Sequence, residues 1–288
     1  MKSIDKLILG TVQLGLPYGI NNNTGQPGNN EAFEILACAQ QNGIDTLDTA
    51  NAYGDAERII GEFHKTQPVK FKINTKFQFV EDQDLKASTF RTINTLDISS
   101  IDTYMYHKYA DLQNKQAKFI LATLKNEGVI KKTGISIYSN KEFTTAIDTE
   151  FIDVIQIPFN LLDNYTLRGA LIEKAKQNGK EIHIRSVFLQ GLFFMQEDKI
   201  PEILYPLKRH ISHLQKIASE NNISINTLAL VYALSINNID KVLIGVDSLA
   251  QLQNNLKSVD ANISSSVVQA VNNIKVEEID LLNPVNWK

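Results

Sequence analysis

Eight short β-rich runs alternate with helical stretches along the whole chain, and this alternation restricts the fold more than any other feature. Three of the helical stretches end on glycine (Gly43, Gly128 and Gly179), which readily takes the left-handed conformation past a helix end. Each glycine is followed within a few residues by an apolar run. Strands that alternate with helices pair in parallel, so we predict a parallel sheet. Its strands lie near residues 6–11, 44–48, 71–76, 101–107, 132–137, 152–158, 181–187 and 241–246.

Eight such strands most simply close into an α/β fold of the (β/α)8 TIM barrel type, which takes about 250 residues. The chain has 288 residues and no linker or low-complexity segment, so we predict a single barrel domain over residues 1–288. A doubly wound open sheet is the alternative, and it requires some of the runs to be surface strands. Residues 188–240 hold two helical patterns, over 203–220 and 224–235, which predict an extended connection before strand eight.

Composition and charge exclude several classes of protein. A hydrophobic fraction of 43% fits a large core, and a net charge of −3 argues against nucleic acid or an anionic membrane surface as partner. The single cysteine, Cys38, excludes an intrachain disulfide. The charged N-terminus resembles no signal peptide, and no apolar run approaches the ~18 residues that a membrane span needs. We therefore expect a cytoplasmic protein, a monomer or small homo-oligomer, that acts on a small molecule.

Four polar side chains lie at or just past the ends of neighbouring strands. Asp48 closes the second run, Tyr53 follows five residues later, Lys76 closes the third run and His107 closes the fourth. The C-terminal ends of barrel strands form the rim that carries the active site, so we expect these four side chains to converge there. Each alone has an ordinary alternative, such as helix capping for Asp48 or a solvated position for Lys76.

The chemistry of these four groups favours proton transfer to or from an oxygen atom. A phenol gives up its proton reluctantly at neutral pH, but an adjacent ammonium favours the phenolate. A carboxylate keeps the ammonium charged, and an imidazole can orient a substrate oxygen by a hydrogen bond. Carbonyl reduction needs a proton at oxygen while hydride arrives at carbon, and no protein side chain supplies hydride. The sequence therefore predicts a nicotinamide or flavin cofactor. No His, Cys and Asp cluster has metal-ligand spacing, so no metal is predicted.

Over almost its whole length the chain resembles an aldo-keto reductase. The matching segments are Leu9-Gly10-Thr11, Asp48-Thr49-Ala50, Tyr53-Gly54 with Glu57, Thr75-Lys76, His107, Gly134-Ile135-Ser136, 156–160, 186–192 and 245–255. The resemblance implies a (β/α)8 barrel that reduces carbonyls with NADH or NADPH. It also implies that Tyr53 is the acid, that Asp48 and Lys76 tune it, and that His107 orients the carbonyl.

The resemblance extends to the cofactor site, with departures. Gln156 and Ser136 match the residues that bind the nicotinamide carboxamide, and Ser186 matches a position beside the pyrophosphate. An amide usual after the serine is Ile137 here, and an aromatic that usually stacks on the nicotinamide is Arg185. Arg185 can stack on a planar ring, or it can be a salt-bridge residue at a strand end. The matching segments add further expected cofactor contacts at Gly10, Thr11, Asp48, Gly245 and Ser248.

At the adenosine end, the resemblance favours NADH over NADPH. NADPH-selective relatives usually carry basic residues where this chain has Asp247 and Gln251. A carboxylate accepts hydrogen bonds from a ribose hydroxyl but repels a phosphate at a cost on the order of 1–4 kcal/mol. Asn254 and Asn255 are expected to hold the adenine.

Two segments bear on the substrate. Tyr18 lies in a loop rich in glycine and asparagine after the first strand, which suits a hydroxylated ligand such as a sugar. Trp287 lies in a C-terminal tail, and the family resemblance implies that this tail folds over the pocket at the rim; anchoring of the chain end is the alternative. The preferred hypothesis is reduction of an aldehyde or ketone of a small polar molecule, carbohydrates included. The alternatives are a low-turnover nicotinamide-binding regulatory protein and a sugar epimerase or lyase that recycles a retained cofactor.

The remaining histidines are expected to have no catalytic role. His64, His210 and His213 lie in polar helical stretches and are predicted to be solvated, whereas His183 alternates inside a strand and is predicted to be structural.

Overall fold

All eight strands pair in parallel and in chain order, and the first closes against the last in the computed structural model, which describes residues 2–287. The closed (β/α)8 barrel confirms the predicted fold and excludes the open sheet. Strand limits differ from the predicted ones by at most two residues at either end. The strands are β1 (Leu7–Gly10), β2 (Thr46–Asp48), β3 (Lys72–Phe77), β4 (Ile101–Tyr106), β5 (Ile130–Ser136), β6 (Val154–Pro158), β7 (Glu181–Arg185) and β8 (Lys241–Gly245).

Helices follow the strands and cover the outside of the barrel. Each of the three predicted glycines lies just past the end of a helix and has a positive φ. The values are +88° at Gly43, +72° at Gly128 and +71° at Gly179. The helices are α1 (Val12–Gly15), α2 (Asn29–Gln41), α3 (Ala56–Lys65), α4 (Leu85–Leu96), α5 (Lys115–Asn126), α6 (Asn140–Asp148), α7 (Tyr165–Gln177), α8 (Lys208–Glu220), α9 (Ile225–Ser235), α10 (Leu249–Ser258) and α11 (Ser265–Asn272).

The long connection before β8 contains α8 and α9, as predicted. The first of the two was expected to start at residue 203, but residues 202–207 form a 3-10 turn that contains Pro206. Proline has no N–H to donate to the preceding turn, so the α-helix begins only at Lys208.

The inside of the barrel is unusually polar. Strand side chains alternate between the two faces of a sheet, and barrel interiors are normally filled by Val, Ile and Leu. Here Lys132 of β5 donates to Glu181 of β7 over 2.5 Å, between strands that are not neighbours, and because both side chains are partly exposed this contact spans one open end of the barrel. His183 Nε2 lies 2.8 Å from the same carboxylate and is buried, as its predicted structural role requires. The apolar residues that alternate with them, such as Ile182, pack outward against the helices.

The C-terminal tail lies against the loops that follow β5 and β6. It forms two 3-10 turns, Ile279–Leu282 and Pro284–Asn286, and Leu282 is buried. Tyr138 and Pro158 line a cavity of about 280 Å³ together with the tail. The tail therefore lies at the rim side of the barrel. Met1 and Lys288, the ends of the predicted domain, lie outside the described residues.

The prediction for His64 is wrong, because its ring is buried against the end of α4 and the residue that precedes β3. Its Nδ1 lies 2.7 Å from the carbonyl oxygen of Leu96, and the Phe71 N–H donates to its Nε2. None of the helices in residues 2–287 is both long enough and apolar enough to cross a membrane.

Candidate active site

A buried ion pair between Lys76 and Asp48 forms the centre of the site. Lys76 is 1% exposed and Asp48 is 2% exposed, at the ends of β3 and β2. The ammonium donates to Asp48 Oδ1 and, over 3.0 Å, to the Thr49 carbonyl oxygen, while Gln156 Nε2 donates to Asp48 Oδ2 over 2.7 Å. Burial opposes the charge on Lys76, but Asp48 and Tyr53 outweigh it, so the pKa of Lys76 is raised. The lysine is therefore an ammonium at neutral pH.

Tyr53 stands beside this ammonium. Lys76 Nζ lies 5.3 Å from the centroid of the Tyr53 ring, and the ring packs edge-on against His107 with centroids 6.0 Å apart. The four side chains that the sequence places at successive strand ends thus lie together at one rim. Their catalytic roles stay predictions.

Two glycines fix the backbone on either side of Tyr53. A Cβ atom on Gly15 would lie 1.8 Å from the Tyr53 carbonyl oxygen, and one on Gly54 would lie 2.3 Å from the Gly15 carbonyl oxygen. Gly54 also has φ of +52°, which disfavours other residues. The end of α1 and the loop after β2 therefore touch backbone to backbone, and this contact sets the position of the phenol.

His107 is neutral at physiological pH. Burial, which is the largest cause, and the ammonium of Lys76 together lower its pKa to about 4. The backbone N–H of His107 donates to the Phe77 carbonyl oxygen over 2.9 Å, which anchors the residue to the end of β3. Its buried Nδ1 has no hydrogen-bond partner within the described residues. A neutral imidazole beside the phenol can donate one hydrogen bond to a carbonyl oxygen.

A cavity of about 280 Å³, named the catalytic cavity below, is lined by Lys76 and His107 but not by Tyr53. Its walls come largely from the segment after β3, which the sequence reasoning did not single out. Besides Lys76 and His107 it is lined by three side-chain amides, a hydroxyl and several apolar groups: Asn51, Gln78, Gln83, Ser88, Ala52, Phe77, Val80 and Leu85. Amides and a hydroxyl suit a substrate with several oxygen atoms.

Glu57 is a second buried carboxyl group, to which the sequence reasoning gave no role. It is 8% exposed, accepts from Thr75 Oγ1 over 2.8 Å and from Asn51 Nδ2 over 3.3 Å. Burial raises its pKa to about 7, although the Thr75 hydrogen bond and the Lys76 charge oppose the shift. Because Thr75 alternates with Lys76 along β3, Glu57 lies behind the strand, between the barrel and its helices. The sequence signal that could have indicated the burial of Glu57 is its position on the face of α3 that packs against β3.

Gln156 and Ser136, the pair predicted to bind the carboxamide, have the groups that a nicotinamide needs. Gln156 is completely buried, and its Oε1 has no hydrogen-bond partner within residues 2–287. Ser136 ends the neighbouring strand β5 in register with Gln156. A carboxamide NH₂ requires an acceptor and its oxygen requires a donor, which Gln156 Oε1 and a serine hydroxyl supply. These residues therefore fit the cofactor that the resemblance implies.

Arg185 stacks on a protein ring. Its guanidinium carbon lies 4.2 Å from the centroid of the Tyr138 ring. Its hydrogen bonds go to the Ile137 carbonyl oxygen at 3.1 Å, to Ser136 Oγ at 3.3 Å and to Ser186 Oγ at 3.4 Å. No carboxylate in the described chain lies within salt-bridge distance of it, so the salt-bridge alternative is wrong.

The loop after β7 has a constrained backbone. Ser186, Leu189 and Gln190 take positive φ of +62°, +46° and +55°. Residues other than glycine rarely adopt this conformation, and it concentrates at ligand-binding and catalytic loops. The predicted contact of Ser186 with the pyrophosphate is compatible with this geometry.

The remaining predicted cofactor residues cluster around the ends of β1 and β8. Gly10 pairs in register with Gly245, and a Cβ atom on Gly245 would lie 2.5 Å from Gln13 Nε2. Thr11 is buried and its Oγ1 donates to the Asp48 carbonyl oxygen over 3.0 Å. These contacts show a structural role for Gly245 and Thr11, whatever they bind.

At the start of α10, several of the residues predicted to contact the adenosine already have hydrogen-bond partners within the protein or are buried. Asp247 accepts from Asn22 Nδ2 and Gln251 Nε2, each over 3.3 Å. Ser248 caps α10 by accepting from the Gln251 N–H. Of the two asparagines expected to hold the adenine, Asn254 is exposed and Asn255 is buried.

Neither of the two predicted substrate residues lines the catalytic cavity. Tyr18 is 37% exposed, and its hydroxyl accepts from Gln190 Nε2 over 2.9 Å, which ties its loop to the loop after β7. Trp287 Nε1 donates to the Leu281 carbonyl oxygen over 2.8 Å and its ring packs on the core. The anchoring alternative therefore describes Trp287 well, and substrate contact stays a prediction for both residues. Across the described chain, no three His, Cys, Asp or Glu side chains gather as metal ligands do.

Comparison with known proteins identifies the family. A family model described as the aldo/keto reductase family matches residues 6–276. The chain is 27% identical over 285 residues to a D-arabinose 1-dehydrogenase of Saccharomyces cerevisiae, covering 88% of this chain and 82% of that protein. It is 23% identical over 277 residues to an NADH-specific methylglyoxal reductase of Escherichia coli, covering 81% and 84%. Among solved structures, an aldo-keto reductase from Bacillus halodurans in its holo form superposes with a TM-score of 0.76 at 20% identity, covering 95% of this chain and 94% of that one.

Proposed function

The chain belongs to the aldo/keto reductase family of NAD(P)H-dependent oxidoreductases, and on that premise we propose that it reduces an aldehyde or ketone of a small polar substrate with Tyr53 as proton donor. The observation that carries the proposal is the buried Lys76–Asp48 pair beside Tyr53 and a neutral His107. The amide-lined catalytic cavity supports a substrate with several oxygen atoms, carbohydrates included.

Each of the four residues has a distinct task in this reaction. His107 donates a hydrogen bond to the carbonyl oxygen and orients it toward the phenol. Tyr53 gives its proton to that oxygen, and the Lys76 ammonium stabilises the phenolate that is left. Asp48 keeps Lys76 charged in its buried position and is itself held by Gln156. The nicotinamide, when bound, supplies the hydride that the carbonyl carbon receives.

We assign the two ends of the cofactor to two parts of the rim. Gln156 and Ser136 hold the carboxamide, with the unpartnered Gln156 Oε1 accepting from its NH₂ group. Asp247 lies at the adenosine end and favours NADH, because its carboxylate repels a 2′-phosphate by roughly 1–4 kcal/mol. The NADH-specific methylglyoxal reductase among the relatives supports this direction.

Tyr53→Phe tests the proton donor. The variant should lose nearly all turnover of aldehydes and ketones, because it lacks the phenolic proton that the proposed reaction transfers. Turnover is measured by the absorbance of reduced nicotinamide. Fluorescence titration should show nearly unchanged binding of NADH, since the phenolic hydroxyl is not a cofactor contact. Turnover that survives in Tyr53→Phe rejects the assignment.

Asp247→Lys tests the cofactor preference. The ratio of the Kd for NADPH to that for NADH should fall by roughly 5- to 1,000-fold, the change that corresponds to removing a repulsion of about 1–4 kcal/mol. Asp260→Lys, which makes the same change of charge at an exposed position beyond the end of α10, is the matched control. Equal shifts in both variants, or tighter NADPH binding by the unaltered protein, contradict the role of Asp247.

A sugar epimerase or lyase that retains its cofactor is the second candidate. It is favoured by the hydrogen bonds that tie the loop after β1 to both the β7 and β8 loops, Tyr18 to Gln190 and Asn22 to Asp247. Such ties would slow cofactor release. Protein purified without added cofactor should then carry bound nicotinamide, which denaturation would release for detection by mass spectrometry.

A further inference from the structure

We propose that Glu57 is a positioning residue for the reduction, which holds the loop that carries Tyr53 and the strand that carries Lys76 in their mutual geometry. The inference rests on the proposed carbonyl reduction and adds a residue to the four that the reaction uses directly. Glu57 is buried behind β3 and acts through the groups to which it is bonded, on the far side of the strand from the reacting atoms.

One carboxyl oxygen of Glu57 is bonded to the strand that carries the catalytic ammonium. Thr75 Oγ1 donates to Glu57 Oε1 over 2.8 Å, and both residues are buried. Successive side chains of a strand point to opposite faces, so Thr75 faces Glu57 while Lys76 faces the site. The two residues share one stretch of backbone. A bond that holds Thr75 therefore also holds the backbone from which Lys76 projects.

The other carboxyl oxygen is bonded to the loop between β2 and α3. Asn51 Nδ2 donates to Glu57 Oε2 over 3.3 Å and to Thr92 Oγ1 of α4 over 2.7 Å. Tyr53 lies between Asn51 and Glu57 in the sequence, so this bond closes the segment around the phenol on itself. The backbone N–H of Asn51 also donates to the Lys76 carbonyl oxygen over 3.3 Å, so the loop meets β3 at the catalytic lysine.

The segment around Tyr53 depends on such bonds because little of it packs into the core. Ala52, Gly54 and Asp55 are all exposed. The backbone contact with Gly15 holds the segment from the side of α1, and Glu57 holds it from the side of β3. A displacement of about 1 Å between reacting groups can lower the rate by about 100-fold, so loss of one of these two supports should slow proton transfer.

Glutamine at position 57 can make both bonds, and leucine can make neither. Burial raises the pKa of Glu57 to about 7, so at pH 6 its carboxyl group is mostly protonated. In that form one oxygen accepts from Asn51, and the O–H can donate to the Thr75 hydroxyl, which also accepts. A glutamine amide offers the same acceptor and a donor in the same shape. Leucine has a similar size and no polar atom.

The kinetics of Glu57→Leu and Glu57→Gln at pH 6, with glyceraldehyde and NADH, test the proposal. Glu57→Leu should lower kcat by roughly 10- to 100-fold and leave KM and the Kd for NADH within about threefold, because a displaced acid affects the transition state and not binding. Glu57→Gln should keep kcat within about threefold of the unaltered protein. Thr89→Val removes a neighbouring buried hydroxyl of α4 that bonds to its own helix, and this control should change neither constant.

Asn51→Ala gives a second test at an exposed residue, where the fold is not at risk. It should also lower kcat with little change in KM. Its combination with Glu57→Leu should cost little more than Glu57→Leu alone, because both changes release the same loop. If thermal unfolding shows that Glu57→Leu does not fold, Asn51→Ala alone decides. A raised KM with unchanged kcat would make Asn51 a substrate contact and would overturn the proposal.

Three further outcomes overturn the proposal. These are an unchanged kcat in Glu57→Leu, a loss in Glu57→Gln as large as that in Glu57→Leu, or losses that multiply in the double variant. If the unaltered protein reduces no carbonyl, the proposed function fails, and crystal structures of Glu57→Leu and Asn51→Ala decide the inference separately. Lys76 Nζ lies 5.3 Å from the centroid of the Tyr53 ring in the unaltered protein. A change of about 1 Å or more in that distance supports the positioning role, and an unchanged distance overturns it.

Discussion

Glu57→Gln should remove a large pH-dependent contribution to the stability of the barrel. Glu57 is buried behind β3 beside Thr75, and burial raises the pKa of its carboxyl group to about 7. In the unfolded chain the same group titrates at its ordinary pKa of 4.5. Between these two values the folded protein holds a proton that the unfolded chain does not, so stability is full below pH 4.5 and is lost as the pH rises through 7.

The magnitude follows from the two pKa values. Their difference, at about 1.4 kcal/mol for each pH unit, amounts to ~3.4 kcal/mol of unfolding free energy. Roughly 2.5 kcal/mol of this is lost between pH 5 and pH 8, because part of the titration lies below pH 5. A neutral glutamine of the same shape has no such term, so its curve should lack this fall.

Urea unfolding at half-unit steps from pH 5 to pH 8, followed by circular dichroism, measures the effect. The difference between the unfolding free energies of Glu57→Gln and the unaltered protein isolates Glu57, because groups such as His64 titrate in both. Glu62→Gln, on the exposed side of the same helix, is the matched control. Parallel curves for Glu57→Gln and the unaltered protein would show that Glu57 is not protonated in the folded state and would refute the reasoning.

Three further predictions concern buried ionisable groups. Lys76→Met should cost roughly 3–5 kcal/mol in urea unfolding, because it leaves Asp48 buried without its partner, and should also reduce turnover strongly; full activity with unchanged stability would contradict the central role of the pair. His107 should stay neutral through pH 5, so that its imidazole resonances in NMR move only around pH 4, and a midpoint near 6.5 would be inconsistent with its burial. Arg168→Met should destabilise the protein by a similar ~3–5 kcal/mol, since Asp163 is 1% exposed and then unpaired, and an unchanged thermal midpoint would argue against it.

The fold could be predicted because its signals are local. A glycine such as Gly43 after a helix, followed by an apolar run, defines a helix end and a strand without knowledge of distant parts of the chain. Eight repeats of that pattern leave the barrel as the simplest closure. The start of α8 was missed because the pattern of apolar residues continues through Pro206, whereas the hydrogen bonding does not.

The site residues that lie at strand ends could be predicted from the sequence. The contacts that depend on which side chains become buried together could not. The convergence of Asp48 and Lys76 follows from parallel strands that share a rim. The bond from Gln156 to Asp48 joins β2 to β6 across 108 residues, and no local pattern specifies it. His64 lies in a polar stretch of sequence, yet its neighbours in space are backbone groups that satisfy both ring nitrogens and permit its burial. The absence of a counterion at Arg185 is equally a property of three-dimensional surroundings.

The backbone contact between Gly15 and Gly54 has a consequence for how this enzyme tolerates change. Neither residue offers a side chain to substrate or cofactor, yet any methyl group at either position must push Tyr53 out of place. In a saturation screen for activity, both positions should accept only glycine and so would score like catalytic residues. Measuring folding and activity of each variant separately would expose the difference, because a displaced loop can leave a well-folded barrel that no longer turns over.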